Sequence, residues 1–228
     1  MTNRRLFIAE LEDLTNEVIS MGNAVEVMIS KLEQALKTND VILAQEVIKS
    51  DESINAMEYK IERECIDLIA MQQPVAGDLR RVSACMRLIS DIERIGDHCA
   101  DISSYILQLE QISESVRREE FYQMFAQMKI MVHNTIKSFA EEDVHLAQSV
   151  MAADSIVNEA FATELANIKQ TLEVPTNIEF QLVYLLVIKY VERMADHAGN
   201  IAEWVQFLVE GNLEESMNMD KYDFSQAE

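Results

Sequence analysis

Residues 11–32 carry apolar side chains at Leu11, Leu14, Val18, Met21, Val25, Met28 and Leu32, alternately three and four apart. That spacing returns a side chain to the same helical face at each turn and marks a seam to be buried. The alternation recurs through Leu88, Ile92, Ile95, Cys99, Ile102, Ile106 and Leu109. It recurs again through Val187, Val191, Met194, Ala198, Ile201, Val205 and Leu208, each member 99 residues after its counterpart. Six helices are predicted, over residues 6–37, 40–72, 77–112, 116–141, 143–172 and 177–210. The two prolines, Pro74 and Pro175, each follow one helical stretch and precede the next.

Two seams in one register point to a duplication. Asp40-Val41 followed by Leu43-Ala44-Gln45 recurs as Asp143-Val144 followed by Leu146-Ala147-Gln148, an offset of 103. Asp51 and Asn55 recur at that offset as Asp154 and Asn158, whereas Glu93-Arg94 recurs at 99 as Glu192-Arg193. The lost residues fall around the two prolines, in a surface hairpin that tolerates a change of length. Short connections make neighbouring helices antiparallel. The expected fold is all-α, with two tandem three-helix bundles related by pseudo-twofold symmetry. The first spans residues 1–112 and the second 113–211; the acidic, seamless tail at 212–228 is expected to be disordered.

Composition supports this picture: only five Gly and two Pro occur in 228 residues, and these are the residues helices tolerate least. Charge narrows the partners. Forty acidic residues against 19 basic ones give −21, a chain that repels nucleic acid and anionic membrane surfaces. The longest apolar run, 182–188, stops at Lys189, far short of the roughly 20 residues of a membrane span. The opening turns acidic at once and has no signal-peptide pattern. Cys65, Cys85 and Cys99 lie among apolar neighbours without a CxxC, as reduced core thiols of a cytoplasmic protein would.

The candidate chemistry lies in the repeated segments 91-DIERIGDHCADI-102 and 190-YVERMADHAGNI-201. Glu93, Asp97 and Asp101 are spaced i, i+4, i+8, and Glu192, Asp196 and Asn200 hold the same places. At about 100° per residue from the seam at Ile92, the three acids are expected on the outer surface. Stacked like charges destabilise a helix by about 0.2–0.5 kcal/mol a pair. One account is a solvated salt-bridge face, with Arg94 bonding Asp97 and Arg193 bonding Asp196 at i,i+3. The other is a metal site, because several carboxylates on one face form the all-oxygen set that hard cations prefer. His98 and His197 lie at the flank beside the seam, where a polar role suits them better than ligation. A catalytic di-iron bundle would need Glu-x-x-His on two helices, and only Glu142 with His145 has that spacing.

Two copies of E-R-x-x-D-x-x-x-[DN]-I, with 73-QPVAGDLR-80 before the first and 203-EWVQFLVEG-211 after the second, resemble the PhoU family. The opening 9-AELEDL-14 and Met21-Gly22 fit as well, so the resemblance covers about residues 4–211. It implies a cytoplasmic, non-enzymatic adaptor that negatively regulates phosphate uptake and the phosphate-starvation response. The implied partners are the ATPase subunit of a Pst phosphate transporter and a PhoR-type sensor histidine kinase, with the membrane reached only through them. Metal ions (magnesium, manganese, iron or zinc) are implied at Glu93, Asp97, Asp101, Glu192, Asp196 and Asn200. The family's Ile-Gly is kept as Ile95-Gly96 but becomes Met194-Ala195, and the third ligand position is Asp101 in one copy and Asn200 in the other. Unequal sites are therefore expected, the first tighter. A homodimer through the outer faces of the first and fourth helices is also expected. A metal-free tether and a carboxylate-bridged metalloenzyme are the alternatives.

Overall fold

A computed structural model describes residues 3–108, 119–172 and 178–211 of the chain. The predicted boundary at 112/113 and the tail at 212–228 lie outside the described residues. Six helices are present among the described residues: α1 (Asn3–Thr38), α2 (Val41–Gln72), α3 (Gly77–Gln108), α4 (Glu119–Glu141), α5 (Val144–Leu172) and α6 (Ile178–Glu210). Where described, they match the predicted spans to within a few residues; the predicted helix ends at 112, 116 and 177 lie outside the described residues. Among the described residues there is no strand, and no helix is long and apolar enough to cross a membrane.

The repeat is visible in how helices begin. The Asp40 Oδ1 atom accepts hydrogen bonds from the Ile42 and Leu43 amides at 2.9 and 3.0 Å, capping α2. Its counterpart Asp143 accepts from Leu146 at 3.0 Å and caps α5, satisfying donors that a helix start leaves orphaned. The preceding residues, Asn39 and Glu142, both turn the chain with positive φ, 54° and 51°.

Helices α1, α2 and α3 pack on one another, as do α4, α5 and α6. The halves are also joined, α3 against α6 and α1 against α4. Both junctions are antiparallel. Arg87 meets Trp204, Asp91 meets His197, and Tyr105 meets Tyr190 along α3 and α6. Along α1 and α4, Gly22 meets Ile136, Glu26 meets His133, and Glu33 meets Lys129. This reversal is what a twofold axis perpendicular to the helices produces. The buried apolar residues of both halves form one continuous cluster, from Leu14 and Val18 of α1 to Val187 and Val191 of α6. The α1 and α4 faces proposed for a dimer thus already meet, in part, within one chain.

The α1–α4 crossing is close because of Gly22. A Cβ there would stand 2.6 Å from Ile136 Cδ1, inside any tolerable contact. The three thiols are buried in the core, and loss of solvation raises Cys65 and Cys85 to about 12 and Cys99 higher still. They are protonated and inert at neutral pH.

Candidate metal-binding face

The rotation of α3 is fixed by its core residues, since Ile92, Ile95, Cys99 and Ile102 are buried against the other helices. That sets the bearing of the three acids, and it corrects the expected outward ridge. Only Asp101 is exposed; Asp97 is half-buried and the Glu93 side chain is 15% exposed. On α6 the sequence repeats: Glu192 is buried, Asp196 half-buried and Asn200 exposed. Each motif climbs from a groove between helices out to solvent. The reason is geometric, because a position 100° from the seam of a three-helix bundle falls under the adjacent helix.

In the first half that adjacent helix is α2, and it brings acids of its own. Asp51 is half-buried; its Oδ2 accepts a 3.3 Å hydrogen bond from Asn55, while its Oδ1 is buried with no hydrogen-bond partner. Gly96 faces it across the groove: a Cβ on Gly96 would lie in ordinary contact with Asp51 Oδ1, at 3.6 Å, and with Ile54 Cγ2, at 3.4 Å. Asp51 and Glu58 join Glu93, Asp97 and Asp101, so five carboxylates lie within electrostatic reach of one another. Against them stands Arg94, which bonds Asp97 at 2.9 Å and approaches Glu93 at 3.5 Å. This is the expected i,i+3 bridge. It does not balance the cluster, because four of the carboxyls hold their protons more tightly than usual. Burial is the largest cause in each, followed by repulsion from Asp97 for Asp51, Glu93 and Asp101, and from Glu62 for Glu58.

In the second half Asp154 repeats Asp51. Asn158 donates to its Oδ2 at 2.8 Å, and its Oδ1 is again buried with no hydrogen-bond partner. Asp154, Asp196 and Asn200 line one surface cavity of about 320 Å³ with Arg193, His197 and Glu203. Glu192 instead pairs with Lys189 at 2.5 Å. The sequence shows the Asp51/Asp154 pair as part of the duplication. Nothing in the spacing along one helix links it to the motifs, because it reaches them from the neighbouring helix.

The third position of each motif is held from the other repeat. Asn200 donates to Asp91 Oδ1 at 3.2 Å, and His197 Nδ1 lies 2.7 Å from that same oxygen. Tyr190, which is Asp91's counterpart 99 residues on, hydrogen-bonds Asp101, and its ring lies tilted 5.0 Å from that of His98. The two histidine rings face each other at 5.6 Å where α3 and α6 cross. His98 is buried and both ring nitrogens lack a hydrogen-bond partner. Burial, then the nearby His197 ring, lowers it to about 4, so it is neutral at pH 7. The histidines are thus inter-repeat contacts, more enclosed than the flank position their spacing suggested. Glu142 sits in the α4–α5 turn and pairs with Arg81.

These residues fit a hard cation by donor chemistry: oxygen ligands, unbalanced negative charge and an orphaned buried carboxylate oxygen in each half. As the side chains stand, no group of three His, Cys, Asp or Glu among the described residues could hold a metal ion. The acids would have to draw together around one.

The PhoU domain family model matches the chain twice, at residues 18–106 and 121–205. The phosphate-specific transport system accessory protein PhoU homolog of Pseudomonas aeruginosa is 36% identical over 207 residues, covering 90% of this chain and 86% of that protein. Its namesake in Aquifex aeolicus is 37% identical over 205 residues, covering 90% and 93%. The crystal structure of PhoU from Pseudomonas aeruginosa aligns with a TM-score of 0.84 at 35% identity, over 90% of this chain and all of that one. The phosphate transport system regulatory protein PhoU from Streptococcus pneumoniae gives a TM-score of 0.85 at 30% identity, over 91% and 98%.

Proposed function

The chain belongs to the PhoU family, and on that premise we propose that it links a phosphate transporter to the control of its own supply. At the family level it is an accessory protein of the phosphate-specific transport system and not an enzyme. In our reading it acts in the cytoplasm as a negative regulator of phosphate uptake and of the phosphate-starvation response. Its partners are the transporter's ATPase subunit and a PhoR-type sensor kinase. It works as a homodimer, through α1 and α4 surface not already used within the chain.

Glu93, Asp97 and Asp101, with Asp51 from α2, hold a divalent or trivalent cation; Glu192, Asp196 and Asn200, with Asp154 from α5, form the second site. A bound cation would supply charge neutralisation to these carboxylates. The observation that carries this reading is the orphaned, buried Oδ1 of Asp51 beside the carboxylates of Glu93, Asp97 and Asp101.

Co-purification with the ATPase subunit and with the kinase's cytoplasmic portion tests the adaptor role, and phosphate uptake in a deletion strain tests its sign. Capture of neither, with unchanged uptake, would reject it. A metal-free tether is the second reading, favoured by the Arg94–Asp97 bridge and by acids that stand apart. Elemental analysis of the purified protein separates the two.

A further inference from the structure

Between the outer surfaces of α1 and α2, away from the motif face, lies a groove of about 300 Å³. Glu10, Asp13 and Glu17 of α1 and Glu64 and Asp67 of α2 line it, together with the apolar Leu68 and Met71. Met71 is 76% exposed, and one turn further along the chain Val75 is 68% exposed at the α2–α3 turn. Lys60 reaches Glu17 at 2.5 Å and Glu64 at 3.6 Å, one ammonium for five carboxylates. General acidity of the chain does not account for the cluster. In the offset-103 register the equivalents of Glu10, Asp13, Glu17, Glu64 and Asp67 are Ser113, Val116, Glu120, Asn167 and Gln170. One repeat has concentrated acid where the other has kept a single carboxylate.

From this juxtaposition of two apolar lining residues, one of them an exposed methionine, and five acidic ones in one repeat only, we infer that the α1–α2 groove docks a cationic amphipathic segment of a partner protein. Such a segment lays apolar side chains onto Leu68 and Met71 and sets Lys or Arg against the acids, the helix-in-groove mode of recognition. Methionine suits such a contact, because its unbranched side chain adapts to varied apolar anchors. Burial and the Glu17 charge raise the proton affinity of Glu64, a repulsion that an incoming cation would relieve. The inference uses none of the motif residues, so its failure would leave the metal reading untouched, and the reverse holds too.

The test is fluorescence anisotropy with a labelled helical peptide of about 18 residues, Leu on one face and Lys on the other. Glu10→Gln/Asp13→Asn/Glu64→Gln/Asp67→Asn should raise Kd about tenfold, and Met71→Ser alone about threefold. A charge-matched control, Glu52→Gln/Glu119→Gln/Glu141→Gln/Glu159→Gln, should stay near wild type, with helicity by circular dichroism equal in all. If the groove variant binds like that control, or an all-lysine peptide binds as tightly as the amphipathic one, the attraction is bulk charge and the docking site is overturned.

Discussion

Asp91 and His197 lie 2.7 Å apart across the crossing of α3 and α6, and the same Asp91 oxygen accepts from Asn200. One carboxylate of the first repeat thereby fixes two residues of the second repeat's motif. Asp91→Ala should lower unfolding free energy by about 1–3 kcal/mol, the cost of leaving partly buried polar groups without partners. Urea denaturation measures it. Asp91→Asn keeps an acceptor and should recover part of the loss, whereas a mere filler role would make the two variants alike.

Metal content should follow the acids of the groove. Wild type should retain cations that the Glu93→Ala/Glu192→Ala variant loses, read by elemental analysis. Asp51→Asn should also weaken the first site, about 10–100-fold if it orients or joins the ligands. Titration of the apo protein should show two unequal affinities, the first site tighter. Equal sites would remove the argument from Asp101 and Gly96.

Stability of the metal-free protein should have an unusual slope with pH. Asp51, Glu58, Glu93 and Asp101 all bind protons more tightly when folded. In the window from their ordinary carboxyl values up to the raised ones, the folded state carries more protons than the unfolded. Their contribution to stability therefore falls as pH rises through that window. Thermal melts of apo protein should show Tm rising on mild acidification, an effect reduced by Asp51→Asn and by added cation. A melt that only falls on acidification, with no difference in Asp51→Asn, would contradict it.

At the α1–α4 crossing, Gly22→Ala places a methyl against Ile136. Alanine improves helix propensity by about 1 kcal/mol, and overpacking costs about 1–3 kcal/mol, so the net change should be destabilising. Adding Ile136→Val should restore part of it. A thermal melt of the single and double variants decides the matter; a stabilised Gly22→Ala would show that the crossing is loose.

The fold was legible in the sequence because seam periodicity, the prolines and the repeat all bear on each helix independently. The bearing of the acids was only half legible. Angles around α3 place Glu93 and Asp97 relative to Ile92, but they do not say that α2 lies over that side. Asp51 and Glu58 were invisible as site members for the same reason, as were the grips of Asp91 on Asn200 and Tyr190 on Asp101. Each depends on which helix comes alongside, and in a duplicated chain the alternation of apolar positions reads the same for any partner.

The continuous core has a consequence for descent. Once α3 and α6 lean on each other, as α1 and α4 do, neither copy remains a spare that is free to drift. A mutation lining one half remodels the walls of its twin. Divergence is then cheapest on the outward surfaces, and the acids of the α1–α2 groove lack counterparts at four of five positions in the second repeat's sequence.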